Sequence, residues 1–174
     1  MLTETFRTLL QWKPTELTVR KQLAVFALYL ILAIAYTYPL AFNLSTHIPD
    51  KHPTIELMSD ASLQTWYPWW VRKALLSSEE SVLHSNWVYY PAGMEMTMQP
   101  AMFLHGAMTV PLYWLNITTA NNTVIIISFA LSGLAAFLLG LYVSGSVPGA
   151  LLCGFVYAFS PYKLHHIEGH IQLM

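Results

Sequence analysis

TVIIISFALSGLAAFLLGLYVSGSVPGALLCGFVYAFSPY, residues 123–162, contains no Asp, Glu, Lys or Arg, and the uncharged run reaches back to Met96. A bilayer crossing needs about 20 apolar residues, so the run is long enough for two crossings and a shorter embedded piece. Ser144-Gly145-Ser146 divides it into a span over 123–144 and a span over 146–162, joined by a helical hairpin turn, with Asn121, Asn122 and Thr123 offering the cap of the first. Pro148 stands near the first turn of the second span, where a helix tolerates it. Ser128, Ser132, Ala136, Gly140 and Ser144 recur every fourth residue, as do Ala150, Gly154 and Ala158. Such stripes let helices approach closely in lipid, where packing drives association; their role is structural.

A second uncharged run extends from Gln22 to Pro49 and supplies the first span, 23–44. The basic residues of segment 1–22 (Arg7, Lys13, Arg20, Lys21) place the N-terminus in the cytoplasm. Thr3 to Trp12 suits a short amphipathic helix that Pro14 ends. Tyr36, Tyr38 and Pro39 mark the far end of the span, where an aromatic belt belongs. Pro100 to Leu115 is apolar but short and is interrupted by Gly106 and Pro111, so it reads as a helix dipping into the outer face without crossing; the alternative is a short span, which would invert everything after it. Three spans leave 45–122 as an extracytoplasmic loop and 163–174 as the start of a second. The expected class is all-α, with polytopic transmembrane helices and a large outer loop. With 55% hydrophobic and 10% charged residues, against about 25% charged in soluble domains, the chain reads as an integral membrane protein.

The outer loop holds MSDASLQTWYPWWVRK, residues 58–73. A helix is expected from Ser59 to about Ser77, capped by Ser59, with Asp60 in the first turn and a kink at Pro68. Trp66, Tyr67, Trp69 and Trp70 suit a membrane–water boundary, which makes this an interfacial amphipathic helix. Asp60 there can serve as a general base toward a hydroxyl; the alternative is an acid satisfied by backbone amides. Arg72 and Lys73 suit phosphate capture or contact with lipid head groups.

Trp87 to Gly93 reads as an aromatic strand or loop closed by a turn. His105 reads as a residue satisfied locally. Past the uncharged run, Lys163, His166, Glu168 and His170 arrive together. His166 and His170 share a helix face at i, i+4. That spacing suits a metal, but a third ligand is missing nearby and no metal is indicated. It equally suits two donors for a phosphate beside Lys163, or an interfacial helix end. With a net charge of −1, nothing in the sequence points to nucleic acid as a partner. Cys153, the single cysteine, excludes an intrachain disulfide and suits buried packing.

These residues resemble a family. The order is a basic N-terminus, a span ending near Tyr-Pro-Leu, and an outer Asp followed by Leu-Gln-Thr-Trp-Tyr-Pro-Trp-Trp-Val-Arg-Lys. Tyr-Tyr-Pro-Ala-Gly, a Leu-His-Gly segment and Ser-Pro-Tyr-Lys-Leu-His-His-Ile-Glu-Gly-His come after it. Residues 20–174 resemble the N-terminal part of the bacterial polytopic membrane proteins of the GT-C glycosyltransferase superfamily. The resemblance implies a multi-pass inner-membrane protein. It implies inverting transfer of a sugar from a polyprenyl-phosphate donor to an acceptor hydroxyl on the extracytoplasmic face. Asp60 would be the catalytic base, with Arg72, Lys73, Lys163, His166 and His170 near the donor phosphate and no cofactor. Family members carry further spans, so the chain ending at Met174 is expected to be the front portion of such a transferase. The other reading is a non-catalytic membrane subunit that packs against partner helices.

Overall fold

The computed structural model describes residues 17–50, 60–167, 170 and 171. The expected helix over 3–12 and its break at Pro14, the Ser59 cap and Glu168 lie outside the described residues. The protein is mostly helical: α1 (Val19–Tyr36), α2 (Asp60–Leu76), α3 (Phe103–Thr109), α4 (Ile117–Ser144), α5 (Val147–Ala158) and α6 (Pro161–His166). The strands β1 (His84–Ser85) and β2 (Met94–Glu95) pair antiparallel, His84 opposite Glu95 and Ser85 opposite Met94. The chain forms two compact units, Met1–Tyr38 with Ile126–Leu164, and Pro39–Ile125 with His165–Met174.

The first unit is a helical layer closed around Tyr29. Val25, Tyr29 and Ala33 of α1 are buried with Phe129, Ala130, Phe137 and Leu141 of α4 and with Ala150 and Ala158 of α5. Buried positions three and four apart are what one face of each helix supplies. The Tyr29 ring lies where α4 and α5 both present glycine. A Cβ on Gly133 would stand 2.8 Å from Tyr29 Cγ, and one on Gly154 would stand 2.5 Å from the Gly133 carbonyl oxygen. Tyr29 Oη donates to the Leu151 carbonyl at 2.9 Å. Farther along, Phe129 stacks on Phe159, and Tyr36 meets both edge-on. The four-residue small stripe is only partly used. Gly140 faces Ala150 and Cys153, whereas Ser144 is exposed.

α1 and α4, with 18 and 28 residues, are long and apolar enough to cross a bilayer. α4 starts at Ile117, before Thr123, because Asn116 Oδ1 accepts from the Thr119 amide at 2.7 Å and caps it. It ends at Gly145, whose φ of +63° suits glycine. Ser146 then caps α5, accepting from the Gly149 amide. α5 has 12 residues, about 18 Å of helix, shorter than the span expected over 146–162. Pro161 opens α6 and biases Ser160 away from helical geometry, so the helix stops before it. Cys153, expected to be buried, is exposed.

The second unit is built on α2. Ala61, Gln64, Tyr67, Trp70, Val71 and Ala74 form its buried face. α3 lies against it, and Gly106 makes the approach close, since a Cβ there would meet Val71 Cβ at 2.5 Å. α3 has seven residues before a 3-10 turn over Val110–Leu112, about 10 Å of helix, well short of a bilayer. Pro68 sits inside α2 without ending it. Its missing N–H leaves the Gln64 carbonyl without its usual helical donor. Asn122 Nδ2 donates to the carbonyls of Leu44 (2.9 Å) and His47 (2.7 Å), which ties the segment after Pro39 to the start of α4.

Candidate functional site

α2 carries two working faces. At 3.6 residues per turn, Asp60, Gln64, Tyr67 and Val71 share one, and Ser62, Thr65, Trp66, Trp69 and Arg72 share the opposite one. Asp60 opens the helix and is exposed. One turn farther, about 6 Å along the axis, the buried Gln64 side chain accepts from the Ile171 amide at 2.6 Å. That bond holds the C-terminal segment against the Asp60 face. His170 directly precedes Ile171, is exposed, and its amide donates to the His166 carbonyl at 2.8 Å. The His166 and His170 rings stand edge to face at 5.9 Å. The backbone at Ile171 thus lies against the face of α2 that Asp60 and Gln64 share.

The basic candidates are distributed differently. Arg72 lies about 18 Å from Asp60 along the helix and on the other face. Its Nη1 donates to the Leu115 carbonyl at 3.2 Å, and burial works to lower the guanidinium pKa. Lys73 is engaged by Glu80, Nζ to Oε1 at 2.6 Å, and lies over the Trp87 ring at 4.9 Å. The Lys73 hydrogen bond holds the Glu80 carboxyl below its ordinary value. Lys163 belongs to the first unit, 4% exposed. Its ammonium donates to Ser132 Oγ and lies over the rings of Phe129 and Tyr157. Among the described residues, no three His, Cys, Asp or Glu side chains converge as a metal site would require.

No family model, curated protein or solved structure matches this chain.

Sequence spacing did not reveal Gln64, Trp87 or the His105–Asn121 pair. His105 Nε2 and Asn121 Oδ1 are 2.7 Å apart, and Asn121 is fully buried. Burial pushes the His105 imidazole below the ordinary histidine value, against the smaller raising effect of the Asn121 hydrogen bond. A depressed folded-state pKa means that the unfolded chain takes up the proton first. Stability conferred by the neutral ring is complete above the ordinary value of about 6.5 and falls as pH drops below it. The protection factors of α3 amides, taken against the intrinsic exchange rate at each pH, should fall below that pH in the native chain. They should become independent of pH there in His105→Gln; an unchanged pH dependence in that variant would exclude His105 as its source. His84 behaves oppositely, since its bond to Glu95 Oε1 at 2.7 Å raises it.

Proposed function

We propose that this chain forms part of a multi-pass inner-membrane glycosyltransferase, moving a sugar from a polyprenyl-phosphate donor to an acceptor hydroxyl outside the cytoplasm. The observation that carries the reading is the Gln64–Ile171 bond. It brings the segment bearing His166 and His170 to the face of α2 that opens with Asp60. An exposed carboxylate can take a hydroxyl proton while neutral or cationic donors on the facing segment hold a phosphate. In this reading Asp60 is the base and His166 and His170 face the donor phosphate. Arg72, on the other face of α2 and bonded to the Leu115 carbonyl, and Lys73, paired with Glu80, have no part in this reading of the site. Lys163 belongs to the first unit, where it bonds Ser132, and has no part in this reading of the site.

The membrane part of the reading rests on the surface of the first unit. Leu23 and Ile31 of α1, Leu139 and Val143 of α4, and Leu152 and Val156 of α5 are each at least 60% exposed. Large apolar side chains exposed on three helices are costly in water and matched by hydrocarbon. In the proposed topology α1 and α4 cross the bilayer, α5 with the residues up to Tyr162 makes the third crossing, and 45–122 and 163–174 share the outer side. The same exposed faces favour a second reading, a non-catalytic subunit packing against partner helices.

Topology and reading are tested together by single cysteines at positions 60 and 170 in a Cys153→Ser background. A membrane-impermeant maleimide added to right-side-out spheroplasts should label both. Labelling from opposite sides would exclude a shared site and leave only the subunit reading.

A further inference from the structure

α3 and the 3-10 turn after it are apolar on two opposite sides. On one side Gly106 and Thr109 are buried, with Gly106 against Val71 of α2. On the other, Leu104 is 77% exposed, and Ala107 and Pro111 are exposed as well. Positions i, i+3 and i+7 share a helix face, so these three residues form a stripe. No charge interrupts it, since Asp, Glu, Lys and Arg are absent from 96–162. Past the stripe come Tyr113 and Trp114, both exposed, whose rings meet edge to face at 5.4 Å. Rings with an apolar body and a polar tip are the residues of a membrane–water boundary.

Arg72 reaches the same end of the segment. It donates one N–H to the carbonyl of Leu115, the residue after Trp114, at 3.2 Å. A guanidinium carries several N–H donors, and no described carboxylate pairs with this one. A guanidinium with donors to spare beside an aromatic pair suits a phosphodiester, whose oxygens it can take two at a time. The path of the chain points the same way. Ile117 begins α4, which is long and apolar enough to cross a bilayer, and the start of α4 belongs to the same unit as α3. A protein partner would have to cover an uncharged stripe and also bring an anion to Arg72; a bilayer surface offers both at once. We infer that the second unit rests on the phospholipid surface by this edge. Leu104, Ala107 and Pro111 enter the acyl boundary, about 5–10 Å deep as interfacial helices do. Tyr113 and Trp114 lie at the head-group level, and Arg72 bonds a lipid phosphate. The contact serves a transferase and a non-catalytic subunit alike.

The test is spin-label accessibility of the full chain, in a Cys153→Ser background, in nanodiscs of phosphatidylcholine and phosphatidylglycerol. Leu104→Cys and Ala107→Cys carry the label at exposed positions, so the fold should tolerate them, which circular dichroism verifies. Leu139→Cys on α4 is the hydrocarbon reference and Glu79→Cys the aqueous one; both positions are exposed. Molecular oxygen concentrates in hydrocarbon, and a neutral nickel chelate concentrates in water. Labels at 104 and 107 should relax more with oxygen, as at 139 and unlike at 79. A preference for nickel would mean that the stripe faces water. Shielding from both reagents would mean that another protein or a second copy covers it. Either result overturns the contact. A nickel preference at 139 as well would overturn the membrane reading of α4 with it; at 104 and 107 alone it removes this contact only. Arg72→Glu sets a carboxylate against the phosphates and should shift both labels toward nickel while 139 stays unmoved. Arg72→Lys keeps the charge and should leave all three where they were. Unmoved labels in Arg72→Glu would overturn the phosphate contact.

Discussion

Asp60→Asn should lower sugar transfer by about two to four orders of magnitude, the range that loss of a general base produces. The measurement is turnover of a polyprenyl-phosphate sugar in membranes carrying the full-length protein. The amide keeps the shape of the carboxylate but cannot accept the hydroxyl proton. The fold should tolerate the change. Asp60 is exposed at the first position of α2, and removing a first-turn charge costs about 0.3–1 kcal/mol through the helix dipole. Asp60→Glu keeps a base on a longer arm and should retain part of the rate, which separates loss of the proton acceptor from loss of local structure. Transfer near the native rate in Asp60→Asn would remove Asp60 from the chemistry.

Much of the helical framework was legible in the sequence, because it depends on local signals. The absence of charge from Met96 to Tyr162 marked α4 and α5, and Ser144-Gly145-Ser146 marked the break between them, where a positive φ calls for glycine. α2 was legible from its acidic start and apolar spacing and runs over Asp60–Leu76. What the sequence misled on were side chains able to serve two purposes. Asn121 and Asn122 look like helix caps, but Asn121 bonds His105 and Asn122 bonds the carbonyls of Leu44 and His47. The cap falls to Asn116. Lys73 looks like a phosphate ligand until Glu80, seven residues on, is found against it.

The aromatic cluster was read as interfacial. Tyr67 and Trp70 are instead buried in the second unit, and Trp66 and Trp69 line an open groove with Trp87. The Gln64–Ile171 bond joins positions 107 residues apart, and no periodicity reports a pairing at that separation. The small-residue stripes named Gly154 and Gly140 correctly as close-contact positions. They passed over Gly133, which lies off the four-residue repeat and lets the Tyr29 ring in.

Gly154→Ala should be the most damaging single-methyl change in the first unit. The added Cβ would sit against the Tyr29 hydroxyl, 2.6 Å from Tyr29 Cζ and 2.5 Å from the Gly133 carbonyl oxygen. A side chain alone could rotate away, but the Gly133 carbonyl is backbone in the middle of α4, so α5 must move off as a body. Overpacking of this kind costs about 3 kcal/mol, and the better helix propensity of alanine returns about 1 kcal/mol. The net loss is about 2 kcal/mol, read as a lowered thermal midpoint in detergent. Tyr29→Phe in the same chain should recover part of it by removing the hydroxyl from the collision. The carbonyl contact remains, and the bond to Leu151 is lost, so recovery stays incomplete. That non-additivity distinguishes a clash at Tyr29 from a general intolerance of α5 to substitution. A Gly154→Ala chain as stable as the native one would mean that α1, α4 and α5 do not meet at Tyr29. The ordered helical layer, on which any account of how this chain sits in a bilayer depends, would have to be rebuilt around a different contact.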